Sequence, residues 1–149
     1  MTGKAIRSPG NLPAVATALG RLGLIPFVAL AAGMLLGVGN PALLSSALAG
    51  YSFGILAFLL GAWWGLALIR QQASALLFSN IVFLVVLFSY LGMDYRGFFI
   101  TAAIVFLALL VVERKHPLFR LQPAYYARMR THLSAIAALA LLSAAAFSG

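Results

Sequence analysis

Residues 47–65 read ALAGYSFGILAFLLGAWWG, an apolar segment that contains no charged side chain. A run of about 20 apolar residues is long enough to cross a bilayer as a helix. Small residues recur along this run on one narrow helical face, which comprises Ala47, Gly50, Gly54, Ala57, Gly61 and Gly65. Small residues at this spacing let a second helix approach closely in lipid. We therefore expect a membrane-spanning helix whose small-residue seam, made of these six residues, packs against neighbouring helices.

The composition of the whole chain is that of a membrane protein. Hydrophobic residues make up 64% of the 149 residues and charged residues only 8%, whereas about 25% of an ordinary soluble domain is charged. In a soluble protein a net charge of +8 would suggest nucleic acid. Here the basic residues flank apolar segments, so nucleic-acid binding is not expected. The chain has no cysteine, which excludes disulfides, thiolate nucleophiles and cysteine-ligated metals.

Five apolar segments separated by polar turns predict an all-α membrane protein, a bundle of five transmembrane helices. A basic cytoplasmic tail is expected at 1–21 and the transmembrane domain at 22–149. The predicted spans are 23–38, 43–69, 73–93, 97–112 and 131–148, with a long basic and aromatic loop at 113–130. Pro26 is expected near the start of the first span, where its missing N–H costs little.

The lysines and arginines predict the orientation of the bundle. The first, third and fifth polar segments lie on one side of the membrane, and that side holds Lys4, Arg7, Arg21, Arg70, Arg114, Lys115, Arg120, Arg128 and Arg130. The opposite side holds only Arg96. By the positive-inside rule the N-terminus is cytoplasmic and the C-terminus lies outside. The expected location is the bacterial cytoplasmic (inner) membrane, with the mitochondrial inner membrane as the alternative.

A candidate cleft lies beside the seam. Trp64 is at the edge of the seam, and Asn80 of the third span should lie at a similar depth. A buried amide in lipid needs a hydrogen-bond partner, so we expect the Trp64 indole to donate to Asn80. Together with Tyr51 these residues would border a site for an apolar molecule. Trp63 falls on the opposite helical face, where contact with lipid is expected.

The loop at 113–130 interleaves basic and aromatic residues, a pattern that suits the lipid headgroup layer. The candidate interface or headgroup-binding residues are Glu113, Arg114, Lys115, Arg120, Tyr125, Tyr126, Arg128 and Arg130. Anionic lipid headgroups and a membrane-protein partner are the expected ligands of this loop. Glu113 ends the fourth span and Arg130 begins the fifth, and we expect an exposed ion pair between them to fix the two helix ends. Exposed pairs of this kind are usually weak.

Residues that carry chemistry are scarce. Asp94 and Glu113 are the two acidic residues, and neither lies mid-membrane, where a proton-coupled carrier would usually keep a carboxylate. His116 and His132 lack the further ligands that a metal site needs. We therefore expect no catalytic site, no metal site and no cofactor.

Three pieces of the chain together resemble a known family. They are GLIPF at 23–27, Tyr51 with ILAFL at 55–59 and GAWWG at 61–65, and Pro123, Tyr126 and MR at 129–130 leading into LS at 133–134. They resemble a family of small polytopic inner-membrane proteins of unassigned function, proteobacterial with a mitochondrial transmembrane relative. In that family a histidine often precedes the Trp-Gly pair, where this chain has Trp63, and an acidic residue closes the fourth span, as Glu113 does. The resemblance implies a membrane location and supplies no reaction.

The expected function is that of a non-catalytic accessory or assembly factor of a membrane complex, acting through helix packing and the 113–130 loop. The alternative is a small binder or transporter of a lipid, a quinone or another apolar or amphipathic molecule. Five spans cannot divide into two equal inverted halves, so a repeat-built transporter is not expected.

Overall fold

The computed structural model describes residues 12–120 and 122–148, most of which lie in long α-helices. The helices are α1 (Leu12–Leu36), α2 (Pro41–Ile69), α3 (Ala73–Gly92), α4 (Tyr95–Lys115) and α5 (Ala124–Phe147), with a single 3-10 turn at Pro117–Phe119. All five helices are long and apolar enough to cross a membrane. The prediction of an all-helical fold with five apolar helices is therefore confirmed for the described residues.

Short polar turns restart two of the helices. The side chain of Asn40 accepts from Ala42 N at 2.9 Å and from Leu43 N at 3.3 Å, with Pro41 as the first residue of α2. The side chain of Asp94 accepts from Gly97 N at 3.1 Å. Such side-chain acceptors satisfy N–H groups that have no partner inside the helix. The chain can therefore reverse direction within a few residues.

The two ends of the bundle differ in charge. One end gathers the turns between α2 and α3 and between α4 and α5, and we call it the basic end. It holds Arg70, Arg114, Lys115, Arg120 and Arg128, whereas Asp94 and Arg96 lie at the opposite end. The last turn of α1 and the end of α5 line one cavity with Asp94, so α1 and α5 run in the same direction.

The core lies mainly between α4 and α5, which are the most buried helices. Ala102 and Ala103 of α4 and Ala137 and Ala144 of α5 are all buried, and Phe98 fills the space beside them. Small side chains allow two helices to approach closely, so the close small-residue packing in this chain is found on these two helices.

Most of the small-residue seam of α2 is not packed against another helix of the described chain, although a Cβ at Gly50 would lie 3.8 Å from Oη of Tyr90 on α3. Ala47, Gly54 and Gly61 are exposed, and a Cβ built at Gly54, Gly61 or Gly65 would meet no atom within 4 Å. The helix instead buries its opposite face, which comprises Ser45, Leu48, Ala49, Ser52, Leu56, Leu60, Trp63 and Ala67. The fold thus places little of the seam in close contact with another helix, and the expected seam packing stays a prediction. Both faces of α2 are apolar, and the bulkier one fills more of the space between helices.

The first helix starts earlier than the sequence predicts. Residues 12–21, expected in an irregular tail, are helical, and Pro26 lies inside α1 rather than near its start. The rest of the predicted tail, residues 1–11, lies outside the described residues. The added helical turns pack against α5. The contact is close at Gly20, where a Cβ would lie 3.0 Å from Leu133 Cδ1 and 3.1 Å from Met129 Sδ. Tertiary packing therefore accounts for the longer helix.

The connection between α4 and α5 is shorter than the predicted loop. The fourth helix continues to Lys115, and the fifth begins at Ala124 rather than at Thr131. The 3-10 turn between them buries Leu118 and Phe119. Hydropathy marks where a helix leaves lipid, but hydrogen bonding continues beyond that boundary. Much of the polar 113–130 segment is therefore helix end and buried turn.

Candidate functional site

Three helices meet at a buried carboxylate near the basic end. Glu113, at the end of α4, accepts from Arg130 of α5, whose Nη2 lies 2.9 Å from Oε1 and whose Nε lies 3.1 Å from Oε2. The indole Nε1 of Trp63 on α2 donates to the same Oε1 at 3.1 Å. The side chains of Arg130 and Glu113 are only 6% and 5% exposed. We call these three residues the Glu113 cluster.

Aromatic packing holds Trp63 in place. Its ring stacks on Phe78 of α3 with centroids 5.9 Å apart, and it contacts Phe119 of the 3-10 turn at 4.7 Å. Nδ1 of His116 accepts from Leu118 N at 3.1 Å and so begins that turn. Because buried charges persist only when they are paired and hydrogen-bonded, the cluster fixes α2, α4 and α5 relative to one another.

The cluster confirms one expectation and corrects two. Glu113 and Arg130 do form an ion pair, but the pair is buried and not exposed. Trp63, which was expected to face lipid, is 4% exposed, whereas Trp64 is 44% exposed. A helical wheel cannot choose between two apolar faces. The sequence did contain a chemical signal for the buried face. Where water is absent, an indole N–H and a carboxylate at the same depth are expected to form a hydrogen bond, as Trp63 and Glu113 do.

A cleft opens beside the cluster, between α1 and α2, with α5 forming its floor. Its volume is about 550 Å³, within the range of roughly 300–1,000 Å³ that is usual for ligand sites. The lining is mostly aliphatic and aromatic and includes Leu19, Gly20, Gly23, Leu24, Phe27, Ile55, Phe58, Leu59, Ala62, Phe106, Met129 and Leu133. We call this cavity the lateral cleft. The sequence analysis missed it, because most of its lining residues are ordinary apolar side chains.

The polar groups of the lateral cleft belong to α5. Tyr126 and Arg130, one turn apart, line it beside the Glu113 cluster. Arg130 uses Nε and Nη2 for the carboxylate of Glu113. Among the described residues no group accepts a hydrogen bond from its Nη1. The cleft is therefore an apolar cavity with hydrogen-bond donors at one end.

Tyr51 does not line the cleft, but it joins α2 to α1 at Gly23, which does. Its hydroxyl donates to the Gly23 carbonyl at 2.6 Å. Pro26 removes one backbone hydrogen bond from this part of α1. The ring of Phe27 packs edge-on against Tyr51 at 5.0 Å and against Phe106 of α4 at 5.7 Å. These contacts stabilise the middle of α1, where Pro26 leaves the helix with one backbone hydrogen bond fewer.

The cleft predicted from Tyr51, Trp64 and Asn80 is not a single site. Trp64 and Asn80 line a smaller cavity of about 260 Å³ between α2 and α3, which Tyr51 does not reach. Nδ2 of Asn80 donates to the Leu76 carbonyl at 2.8 Å. The expected Trp64–Asn80 hydrogen bond does not occur in the described part of the chain. An amide on a helix can bond a carbonyl one turn earlier, so it needs no partner on another helix.

The predicted interface residues separate into two groups. Glu113 and Arg130 are buried, and Tyr126 lines the lateral cleft. Arg114 links α4 to α5 through its Nη2, which donates to Thr131 Oγ1 at 2.7 Å. The remaining residues lie on the surface of the basic end, fully or partly exposed, and they are Lys115, Arg120, Tyr125 and Arg128. Within 12–120 and 122–148 no group of three or more histidine, aspartate or glutamate residues is placed to hold a metal.

The model of one protein family, described as "Protein of unknown function (DUF3429)", matches residues 12–146. The chain belongs to this family. The match starts at the first residue of α1 and runs into the last turn of α5, so the matched region covers the residues of the Glu113 cluster and of the lateral cleft. The expectation of an uncharacterised family is thereby confirmed. No curated protein and no solved structure matches the chain.

Proposed function

We propose that this DUF3429 protein spans the bacterial cytoplasmic membrane and binds one apolar or amphipathic molecule, such as a lipid or a quinone, in the lateral cleft. The observation that carries the proposal is an apolar cavity of about 550 Å³ with polar groups at one end only, Tyr126 and Arg130. Binding sites for small molecules combine a largely apolar wall with a few placed polar groups. The geometry therefore favours the role that the sequence analysis placed second.

The position of the cleft suits a ligand that arrives through lipid. Leu19 and Phe58 line its edge and are 63% and 72% exposed, so the cavity opens on the outer surface of the bundle. An acyl or isoprenoid chain would lie along the apolar walls between α1 and α2. An oxygen of the ligand's polar end would accept from Arg130.

The proposed orientation follows from the charges. The basic end would face the cytoplasm, with Asp94 and Arg96 on the outer side, since lysine and arginine accumulate in cytoplasmic turns. The polar groups of the cleft would then lie toward the cytoplasmic surface. The mitochondrial inner membrane, with the basic end in the matrix, is the alternative location.

We propose no reaction at this site. Arg130 is held by Glu113, and Tyr126 is the other polar side chain of the cleft. A binder, carrier or ligand-dependent accessory protein agrees better with this arrangement than an enzyme does.

An accessory or assembly factor is the second candidate, and the exposed basic end favours it. Lys115, Arg120 and Arg128 are exposed around the 3-10 turn, while the nearby Glu113 is already paired with Arg130. An acidic surface on a membrane-protein partner would complement them. Charge reversal at Arg120 and Arg128 tests this role, whereas Arg130 is unsuitable because its replacement would disrupt the core.

The test is native mass spectrometry of the protein released in its own membrane lipids. The Ala62→Trp variant fills the lateral cleft, and Ala108→Trp adds the same ring to an exposed position of α4 outside it. We expect a molecule of defined mass on the wild type and on Ala108→Trp, and its loss from Ala62→Trp.

The alternative outcomes are distinct. A stoichiometric protein partner without a small molecule would replace the binder by the accessory factor. Equal retention by the two tryptophan variants, or a bare monomer in all samples, would contradict binding in the cleft. Thermal unfolding of both variants verifies that they fold.

A further inference from the structure

A second groove lies on the other side of the contact between α1 and α5. It has a volume of about 380 Å³, and Arg21 of α1 lines it together with Arg128 and His132 of α5. We call it the basic groove. Leu24, Met129 and Leu133 line both this groove and the lateral cleft, so they form the wall between the two cavities.

The positive charge of the basic groove has no acidic partner in the protein. The chain contains two acidic residues. Glu113 is buried against Arg130, and Asp94 begins α4 at the opposite end of the bundle. In the described chain neither Arg21 nor Arg128 donates a hydrogen bond to another residue. Two guanidinium groups therefore face one groove without a counter-charge.

The groove is cationic at one end and apolar at the other. Beyond the arginines, Leu24 and Ile136 continue its lining by about one to two turns in the direction in which both helices run. Tyr125 stands at the cationic end, and tyrosine is common where lipid tails give way to headgroups. This order of groups follows the order of groups in a phospholipid.

We propose that the basic groove binds an anionic phospholipid, with its phosphate between Arg21 and Arg128 and one acyl chain along Leu24 and Ile136. The planar guanidinium group matches a phosphate with two parallel hydrogen bonds. The proposal depends on the membrane insertion inferred above, but it does not depend on a ligand in the lateral cleft.

Arg128 and Arg130 both belong to the 113–130 segment, but the fold gives them different positions. Arg130 points into the bundle and neutralises a carboxylate, and Arg128, two residues earlier, lies on the surface at the groove. Residues two apart on a helix cannot share a face. Of these two arginines, only Arg128 lines the basic groove.

The experiment measures lipid binding by native mass spectrometry, with phosphatidylglycerol and phosphatidylcholine titrated separately onto delipidated full-length protein. The double variant Arg21→Gln/Arg128→Gln removes the cationic end of the groove. Arg70→Gln/Arg120→Gln removes the same charge from exposed positions at the same end but outside the groove. We expect phosphatidylglycerol affinity to fall at least about tenfold in the first variant and to stay within about twofold in the second.

A second pair of variants tests the acyl chain without changing any charge. Ile136→Trp blocks the apolar end of the groove, and Leu139→Trp is its control, because Leu139 is exposed on α5 and lines neither cavity. We expect only Ile136→Trp to weaken phosphatidylglycerol binding. The cleft variant Ala62→Trp should leave it unchanged, so that failure of one proposal is distinguishable from failure of the other.

Three results would overturn the proposal. Equal losses in the two arginine pairs would mean attraction by general surface charge. Equal affinity for the two lipids would exclude recognition of an anion. Competition by inorganic phosphate at the same concentration as the lipid would mean a phosphate site without a lipid.

Discussion

The indole Nε1 of Trp63 lies 3.1 Å from Oε1 of Glu113, although the two residues are 50 positions apart in the chain. The bond connects α2 to α4 at a carboxylate that Arg130 of α5 also binds through two nitrogens. Three N–H groups, one from Trp63 and two from Arg130, thus donate to the carboxylate of Glu113. Variants that remove these hydrogen bonds give the most direct tests of the fold.

Removing one charge of the buried pair should be far more costly than removing both. Glu113→Ala leaves Arg130 buried and unpaired, and we expect it to lower the free energy of unfolding by about 3–5 kcal/mol. The double variant Glu113→Leu/Arg130→Met should recover most of that loss. Unfolding in lipid nanodiscs measures both. If Glu113→Ala were as stable as the wild type, the pair would have to be solvated.

The two neighbouring tryptophans should report opposite environments. Trp63 is 4% exposed and Trp64 is 44% exposed. In brominated lipid, the Trp63→Phe variant retains only Trp64, and its fluorescence should be strongly quenched. Trp64→Phe retains only Trp63, which should be quenched weakly. Trp63→Phe should also be the less stable variant, because it removes a donor from the carboxylate. The reverse order of quenching would restore the orientation that the sequence analysis expected.

The bond from Tyr51 to Gly23 should stabilise the proline-containing part of α1. Tyr51→Phe removes the hydroxyl that donates at 2.6 Å, and we expect a loss of about 0.5–1.5 kcal/mol. Hydrogen exchange should accelerate at the amides near Gly23. Tyr95→Phe provides the control, since Tyr95 is 44% exposed. Equal exchange in the two variants would show that the hydroxyl does not hold this helix.

Two glycines distinguish packing within the chain from packing between chains. A Cβ at Gly20 would meet Leu133 and Met129 at 3.0–3.1 Å, while one at Gly61 would meet nothing within 4 Å. We therefore expect Gly20→Leu to separate α1 from α5 and to lower the melting temperature, and Gly61→Leu to be tolerated. Destabilisation by Gly61→Leu would instead indicate that the small-residue seam binds a second chain.

The number of helices and several of their ends could be predicted from the sequence because each depends on local chemistry. Charged or amide side chains mark the turns at Asn40 and Asp94, where they also begin the next helix. The N-terminal extension of α1, from Arg21 back to Leu12, could not be predicted in the same way. It depends on the contact of Gly20 with α5, which is distant in the sequence.

Helical faces were harder to predict than helices. In water the buried face of a helix is its apolar face, but α2 is apolar on both sides, so hydropathy carries no information about direction. The sequence analysis relied on the small residues and so chose the face of α2 that the fold leaves largely unburied. The pairing of Glu113 with Arg130 was predictable from charge. Its burial depends on tertiary packing, in which Trp63 of α2 reaches the carboxylate and Phe119 of the 3-10 turn packs on Trp63.

The closeness of the two charges in the Glu113 cluster has an electrical consequence. In an energised membrane, a single buried charge gains or loses up to about 2.3 kcal/mol for each 100 mV across the full thickness. Glu113 and Arg130 lie 2.9 Å apart and sum to zero. The transmembrane voltage acts on them with nearly equal and opposite forces, so it does almost no work on the interior of the protein. In a membrane, this ion pair would thus add almost nothing to the response of the protein to the transmembrane potential.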